Sequence, residues 1–298
     1  MHHTTGHITP IQPFDFAQQL RFIGLFSPAA GEQTINEQAL TKAVMLDGQV
    51  VAFKVRSLGT VDKPELEYTL YSEGAITDAI KERAVDLIAF YLSANDDLRP
   101  FYEIGNKDED FAPVIKKLYA LHQVKFLTPF ENAAWSVMTQ RNPIVVARKT
   151  KQKVIERYGG SVEVDGETHW AFPDAQALSV ASPEDLFALL KNEKRTAYLR
   201  NVISAFQDVD EDWLRTGDYD EVYKWLRSIK GIGEWSAAFV MIRGLGRMER
   251  LTSVEENLMN TVSHIYKHDQ PVSRAEVEEI GARYGNYAGH WAFYMRNA

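Results

Sequence analysis

The first hundred residues mix two kinds of spacing between hydrophobic and polar positions. Residues 48–56 and 66–71 are rich in β-branched and aromatic side chains, which predicts two strands joined across a proline-containing turn. Apolar positions three to four apart over 76–92 predict an amphipathic helix. Strands and helices in this arrangement predict a small α+β domain, which we place at residues 1–105.

From about residue 96 the apolar positions follow the helical period, and turn-forming residues stand between the periodic stretches. Gly159-Gly160 ends one predicted helix. Ser182-Pro183 begins another, because a serine cap followed by proline in the first turn is typical of a helix start. The sequence therefore predicts an all-α domain over residues 106–298.

The segment 226–260 carries the most specific local signal. Its helical pattern breaks at Gly231-Ile232-Gly233 and resumes at Glu234. Two glycines permit a tight turn without a Cβ atom, and they leave the first N–H groups of the next helix beside bare backbone. Helix starts of this kind bind anions, including nucleic-acid phosphates. The alternative is an ordinary turn between two helices.

Composition narrows the classes of protein. The chain has 298 residues, 45% of them hydrophobic, and no cysteine. The absence of cysteine excludes disulfides, thiolate zinc sites and cysteine-held iron–sulfur clusters. No apolar run reaches membrane-spanning length and the first residues do not have the form of a signal peptide. We expect a cytoplasmic monomer that needs no cofactor and contacts no membrane.

The net charge of −8 is unevenly distributed along the chain. Residues 1–110 hold 9 basic and 17 acidic side chains, so the remainder is neutral overall. Residues 111–157 have 9 basic against 2 acidic side chains, and residues 223–250 have 6 against 2. Such basic stretches fit a phosphate-contacting face, although solvated helix faces have the same composition.

The hairpin resembles the motif of the helix-hairpin-helix DNA glycosylase superfamily, and the tryptophan after it is typical of the AlkA-type 3-methyladenine branch. The matching residues are Leu226, Ile229, Gly231, Ile232, Gly233 and Trp235. Further similarity lies at Phe130-Glu131-Asn132-Ala133, at Gln140 and at 195–199. The lack of cysteine argues against the branches of the family that carry an iron–sulfur cluster.

The resemblance implies a fold, a reaction and a partner. It implies an α+β N-terminal domain followed by a mostly α-helical helix-hairpin-helix glycosylase domain, in two helical subdomains with a DNA cleft between them. It implies a monofunctional DNA glycosylase of base excision repair that binds double-stranded DNA with a damaged base. The enzyme would flip out an alkylated base and hydrolyse its N-glycosidic bond.

The family's catalytic aspartate falls on Glu255 by counting from Trp235, and a slip of one residue would place Glu256 there instead. A carboxylate near C1′ stabilises the cation-like sugar formed when the glycosidic bond breaks. Glu reaches further than Asp and is held less rigidly. The alternative for either acid is a capping box, because Thr252 and Ser253 each precede a glutamate by three residues.

Three aromatic residues are candidates for the base pocket. Trp235 stands where lyase-type relatives have a Schiff-base lysine, which predicts hydrolysis without strand cleavage. Phe239 lies one helical turn later, so the two rings are expected to form a wall against the flipped base. Trp291 resembles a late family tryptophan and is the third candidate. The alternative for each ring is a place in the core.

The DNA contacts expected from the resemblance surround the hairpin and the loop after Gln140. That loop is expected to fill the gap left by the flipped base, with Arg141 or Asn142 as the wedge. A monovalent cation is expected at the backbone carbonyl of Ile232. The residues assigned to DNA binding are Lys230, Gly231, Ile232, Gly233, Glu234, Arg247, Gln140, Arg141 and Asn142.

Two functional classes remain from the sequence. The first is the glycosylase. The second is a catalytically weak or inactive protein of the same fold that binds damaged DNA, because Glu replaces the family's aspartate. Docking of a protein partner on the hairpin is a weaker third interpretation, since it leaves the basic stretches unexplained.

Overall fold

The computed structural model describes residues 1–36 and 38–298. Five strands near the N-terminus form one antiparallel sheet in the order β1-β5-β4-β3-β2. The strands are β1 (His2–Ile8), β2 (Gln33–Asn36), β3 (Ala39–Leu46), β4 (Gln49–Ser57) and β5 (Leu66–Ser72). Strands β4 and β5 are the two that the sequence predicts, whereas the polar β1 has little strand signal of its own.

The sheet buries one face against two helices, α1 (Phe16–Leu25) and α2 (Asp78–Tyr91). In β5 buried and half-buried residues alternate strictly, as expected for a strand with one face in the core. The helix predicted over 76–92 is confirmed as α2, which begins at a Thr77 cap. A small antiparallel sheet packed on helices is therefore confirmed for the N-terminal part.

Most of the remaining chain is helical. The helices up to the predicted hairpin are α3 (Arg99–Gly105), α4 (Ala112–Lys117), α5 (Pro129–Met138), α6 (Ile144–Tyr158), α7 (Ala175–Ser179), α8 (Pro183–Leu190), α9 (Glu193–Gln207), α10 (Glu211–Thr216) and α11 (Tyr219–Ser228). The helices after the turn are α12 (Glu234–Phe239), α13 (Glu256–Lys267), α14 (Arg274–Ala282) and α15 (Ala288–Met295).

Local signals explain several helix ends. The Ser182 hydroxyl accepts a hydrogen bond from the Asp185 N–H at 3.1 Å, which confirms the predicted cap of α8. Helix α6 ends at Gly159, as predicted. Helix α5 begins after Thr128, whose hydroxyl accepts from the Glu131 N–H at 3.2 Å.

Residues 160–171 correct the expectation of an all-α region over 106–298. They form a two-stranded antiparallel hairpin, β6 (Gly160–Val164) and β7 (Glu167–Ala171). Val162 and Val164 alternate with polar residues and pack against Ala43 and Ala52 of the first sheet. The turn at Asp165-Gly166 has positive φ angles of 53° and 81°, the conformation that Asp-Gly favours between two strands.

A buried group of charges joins the first sheet to the helices. The Lys151 ammonium lies 2.6 Å from carboxylate oxygens of both Glu32 and Glu131, and Lys42 lies 3.5 Å from Glu32. Burial lowers the pKa of Lys151, but the two carboxylates outweigh burial and the net shift is upward. The seam between the sheet and the helices therefore depends on the pairing of this lysine with its carboxylates.

The helices pack around two apolar clusters. One gathers α5, α6, α7, α8, α9, α10, α11 and α12, and the other gathers α3, α4, α13, α14 and α15. The predicted hairpin belongs to the first cluster, whereas Val254, next to the predicted catalytic acid, belongs to the second. No helix within 1–36 and 38–298 is long and apolar enough to span a membrane.

Candidate functional site

The predicted hairpin is present. Helix α11 ends at Ser228, the N–H of Ile232 donates to the carbonyl of Ile229 at 2.9 Å, and α12 begins at Glu234. Gly231 has a φ of +115°, which glycine adopts readily and other residues rarely do. The side chain of Ile232 is buried, so the turn is anchored in the core between its two glycines.

Glycine stands at positions 231 and 233 for different physical reasons. A Cβ atom on Gly231 would lie 2.5 Å from Cγ of Tyr198, so the turn approaches this ring too closely for any side chain. A Cβ atom on Gly233 would meet nothing within 4 Å. Gly233 has a φ of −81°, which any residue can adopt. Open space therefore lies beside the first turn of α12, where a phosphate would approach the free N–H groups.

Two side chains hold the turn, one from the loop after α5 and one from α9. The Gln140 amide donates to the carbonyl of Gly231 at 2.7 Å, and the Asn201 amide donates to the carbonyl of Lys230 at 2.9 Å. The side chain of Gln140 is therefore engaged with the hairpin, whereas the sequence assigned it to DNA. Its assignment to DNA binding stays a prediction.

The loop after α5 offers one exposed wedge. Arg141 is exposed and has a φ of 48°. Asn142 is half-buried, and its amide donates to the carbonyl of Met138 at 2.9 Å, so it serves the end of α5. Of the two wedge residues expected from the sequence, only Arg141 projects from the surface. The next turn, at the start of α6, exposes Ile144, Val145 and Val146.

A cavity of about 710 Å³ opens beside the hairpin, between the two helical clusters. It brings together four residues that the sequence singled out, Glu234, Trp235, Phe239 and Glu255. Its remaining lining residues are Gln123, Ala238, Ile242, Arg243, Met248, Thr252, Ser253, Val254, Arg274, Gly289, Phe293, Arg296 and Asn297. The volume is typical of a pocket for a small ligand.

The predicted aromatic wall is formed by Trp235 and Phe239. Their ring centroids are 5.0 Å apart and the planes differ by 14°, so the rings stack directly on each other. Phe239 in turn meets Phe126 edge-on at 5.9 Å, while Trp235 remains 62% exposed. Because the two rings are in contact, only the outer faces of the pair are open to a planar ligand.

Glu255 stands immediately before α13 and makes no capping hydrogen bond. Its carboxylate accepts from Nε of Arg296 at 2.5 Å and from Nη2 at 3.0 Å, and from the Ser253 hydroxyl at 3.2 Å. The capping-box alternative is therefore wrong, because the carboxylate faces the arginine. Burial raises the pKa of Glu255, but the hydrogen bonds and charge of Arg296 outweigh burial and hold it below its usual value.

Glu256, the second choice for the catalytic acid, is exposed and does not line the cavity. It is the first residue of α13, and one helical position rotates a side chain by about 100° around the axis. The structure therefore separates the two adjacent acids and places only Glu255 in the cavity.

Trp291 is in the core and not in the base pocket, which corrects the expectation for this residue. Its side chain is 0% exposed, its ring stacks on Tyr284 at 5.8 Å, and its indole N–H donates to the Tyr266 hydroxyl at 3.2 Å. The neighbouring α15 residue that lines the cavity is Phe293. Trp291 lies two positions earlier, on the side of α15 that faces the other helices.

The expectation that Arg247 binds DNA is also corrected. Its guanidinium donates to the Glu249 carboxylate at 2.6 Å and to the Gly217 carbonyl at 2.9 Å, and it lies 5.4 Å from the ring centre of Tyr219. Only 12% of its side chain is exposed. The arginine therefore ties the segment after α12 to α11 and does not present a free charge to DNA.

Two arginines of the cavity were not found from the sequence. Arg296 holds Glu255 from 41 residues away, and no local motif marks such a pair. Arg243 donates to the Val124 carbonyl at 2.6 Å, and its guanidinium lies 5.8 Å from the ring of Phe293. Burial, with a smaller effect of Arg296, lowers the pKa of Arg243 to about 10.

The remaining expectations concern the turn and metal ions. Lys230 is exposed beside Gly231, where its ammonium can reach solvent, and Glu234 is exposed as the first residue of α12. In the part of the chain that the structure describes, no three His, Asp or Glu side chains group in a way suited to a metal ion. The Ile232 carbonyl stays a predicted ligand for a monovalent cation.

The sheet, the helices and the hairpin with its cavity together form a fold shared with solved DNA glycosylases, so the resemblance found in the sequence is confirmed at the level of the fold. Among the proteins of this fold, the chain is similar to several that are named as 3-methyladenine DNA glycosylases. The structure of the 3-methyladenine DNA-glycosylase from Archaeoglobus fulgidus superposes with a TM-score of 0.77 at 22% identity, covering 98% of this chain and 97% of the other.

Sequence comparison points the same way. The DNA-3-methyladenine glycosylase of Bacillus subtilis (strain 168) is 24% identical over 217 residues, 72% of each chain. DNA-3-methyladenine glycosylase 2 of Escherichia coli (strain K12) is 29% identical over 115 residues, which covers 39% of this chain and 40% of that protein. No family model matches the chain.

Proposed function

We propose that this protein is a monofunctional DNA glycosylase that releases alkylated, 3-methyladenine-like bases from double-stranded DNA. The names of its relatives support the glycosylase reaction and favour it over a protein that only binds damaged DNA. In this proposal the helical region, with its β6–β7 hairpin, acts as the glycosylase domain at residues 106–298, the segment 1–105 forms the α+β domain, and the protein acts as a monomer.

One observation carries the proposal. The Glu255 carboxylate lines the same cavity as the Trp235–Phe239 pair, directly beside a helix-hairpin-helix turn with an open phosphate approach at Gly233. A nucleotide whose phosphate binds at the turn can place its base against the aromatic pair. Its sugar then lies between the turn and the carboxylate, where the reaction takes place.

The chemistry follows from the charge of Glu255. The glycosidic bond breaks with its electron pair leaving on the base, and the sugar becomes cation-like. An ionised carboxylate near C1′ stabilises that charge. A water molecule adds to C1′ and passes its proton to the surrounding water, which yields a free base and an abasic site. An alkylated purine is already cationic, so it leaves with little help from an acid.

Contact with Arg296 offsets the greater flexibility of glutamate as the catalytic carboxylate. A Glu side chain has one more rotatable bond than Asp, and displacement of a reacting group by about 1 Å can cost about 100-fold in rate. Two hydrogen bonds from one guanidinium fix both carboxylate oxygens of Glu255 in one plane. We infer that Arg296 positions the carboxylate and keeps it ionised.

Strand cleavage is not expected. A lyase step needs an amine that forms a Schiff base with the sugar, and Trp235 has none. None of the cavity-lining residues in the described chain is a lysine.

For the contacts with DNA, we propose that the N–H groups at the start of α12 bind a phosphate and that the Ile232 carbonyl helps bind a monovalent cation. We propose further that Arg141 fills the gap in the duplex.

The test is single-turnover release of methylated purines from a duplex by wild type, Glu255→Gln and Glu256→Gln. We expect wild type to release base and Glu255→Gln to lose at least about 100-fold with DNA affinity retained. Glu256→Gln, one residue away but outside the cavity, should release base at the wild-type rate. Equal losses in both variants would contradict the assignment of Glu255. Absence of release by wild type, with binding intact, would contradict the enzyme.

A further inference from the structure

One face of helix α9 contacts both parts of the molecule that are expected to grip DNA. Arg195, Tyr198 and Asn201 follow one another at intervals of three, so they lie along one side of the helix. Arg195 reaches the loop after α5, whereas Tyr198 and Asn201 reach the hairpin turn. The sequence similarity at residues 195–199 does not by itself assign a role to these three side chains.

The loop end of this face is built around Gln140. Nη1 of Arg195 donates to the carbonyl of Gln140 at 3.4 Å, and Nη2 donates to the carbonyl of Leu190 at 3.2 Å. Nε of Arg195 is buried without a partner among the described residues. The hydrogen bond from Nη1 is therefore the link between this arginine and the loop.

The hairpin end is held at three points. The Asn201 amide binds the carbonyl of Lys230, and the Gln140 amide binds the carbonyl of Gly231. Tyr198 packs so close to Gly231 that a Cβ atom there would lie 2.5 Å from its Cγ. Arg195 and Asn201 are six residues apart on one helix, which fixes their separation along its axis at about 9 Å. Gln140 closes the arrangement, because its backbone binds Arg195 and its side chain binds the turn.

We propose that Gln140 and Asn201 are positioning residues that set the distance between the phosphate-binding turn and the loop carrying Arg141, so that phosphate binding is converted into base flipping. This inference rests on the proposed function. Neither side chain needs to touch DNA. Together with α9 they make the turn and the loop one rigid unit, whose spacing decides whether Arg141 meets the gap beside the target nucleotide.

Loss of either link should separate binding from flipping. The N–H groups at the start of α12 are untouched, so the phosphate is still bound. The loop loses its fixed position relative to that phosphate, and an error of about 1 Å in such an alignment can lower a rate about 100-fold. A residue needed only for folding would instead lower thermal stability and DNA binding together.

The experiment compares wild type with Gln140→Met and Asn201→Leu, which keep side-chain size and remove the amide. Gln207→Met is the matched control, because the Gln207 amide at the end of α9 also makes a hydrogen bond to another helix, at 3.2 Å to Gln176, but lies away from the hairpin. Each protein is measured for melting temperature, for affinity to a duplex with 2-aminopurine at the target position, and for the fluorescence rise when that base leaves the stack.

We expect Gln140→Met and Asn201→Leu to keep the melting temperature and to bind within about threefold of wild type, while the fluorescence rise and base release fall at least about tenfold. Gln207→Met should match wild type in every measurement. Wild-type flipping in both variants, or a loss of affinity that accounts for the whole effect, would overturn the proposal. A wild type that flips the base but releases none would contradict the proposed function alone, since the flipping comparison still decides the inference.

Discussion

Replacing each glycine of the hairpin by alanine should affect a different property. We expect a loss of stability at Gly231 and a loss of DNA binding at Gly233. In Gly231→Ala the new Cβ atom meets Tyr198 at 2.5 Å and the backbone keeps a φ of +115°. Overpacking costs about 1–3 kcal/mol and the backbone strain about 1–3 kcal/mol more, and Tyr198 can relieve part of this by shifting. We expect a net loss of about 3 kcal/mol.

In Gly233→Ala the new Cβ atom meets no other atom within 4 Å, and the backbone keeps a conformation that any residue can adopt. Such a change leaves stability unaltered or raises it by about 0.4–1 kcal/mol, because the unfolded chain loses freedom. The added methyl group, however, occupies the space through which a phosphate approaches the α12 amides. We therefore expect weaker DNA binding with intact stability.

The assay is thermal unfolding together with fluorescence anisotropy on a labelled duplex, for both variants in the same buffer. At about 2–4 °C per kcal/mol, Gly231→Ala should melt about 6–12 °C below wild type. Gly233→Ala should melt no lower than wild type and at most about 4 °C above it, and it should bind at least about tenfold more weakly. The reasoning is refuted if Gly231→Ala melts like wild type, or if Gly233→Ala binds DNA normally.

Three further changes test the charges. Glu234→Gln should tighten duplex binding about two- to threefold at low salt, because an exposed carboxylate stands at the proposed phosphate site, and unchanged affinity would show that the phosphate binds elsewhere. Glu255 has a pKa below its usual value, so base release should persist as the pH falls through the ordinary carboxylate range, and in Arg296→Gln the acidic limb of the rate profile should move to higher pH. An unmoved limb would exclude Glu255 as its source. Lys151→Met should destabilise the fold by about 3–5 kcal/mol in urea unfolding, because it leaves buried carboxylates unpaired, while exposed Lys149→Met should not.

Most of the helices could be predicted because their signals are local. A serine cap, a helix-ending glycine or a glycine pair between two helical patterns depends only on neighbouring residues. Strand β1 could not be found in the same way. Its sequence is polar and histidine-rich, and it is a strand because β5 offers it a pairing edge. The β6–β7 hairpin did have a local signal, alternation around Asp165-Gly166, which the helical surroundings concealed.

The residues of the site likewise divide into those that local sequence predicts and those that it does not. The hairpin, Trp235 and Phe239 lie within nine residues of one another, and the spacing from Trp235 to Glu255 could be counted. The partners that decide what each group does come from far along the chain. Arg296 engages Glu255 and Gln140 engages Gly231, and neither pair leaves a pattern in a single sequence. Trp291 and Arg247 matched motifs but are held by core contacts that a motif does not contain.

The exposure of Trp235 has a thermodynamic consequence. A large aromatic ring that is 62% exposed in the free protein loses contact with water when a base stacks on it. Burial of apolar surface on binding produces a negative change in heat capacity. Association with a flipped base should therefore become more exothermic as temperature rises, whereas attachment of the backbone phosphates alone should show much less of this dependence. Titration calorimetry at several temperatures would thus distinguish a complex in which the base has entered the cavity from one in which the duplex merely rests on the hairpin.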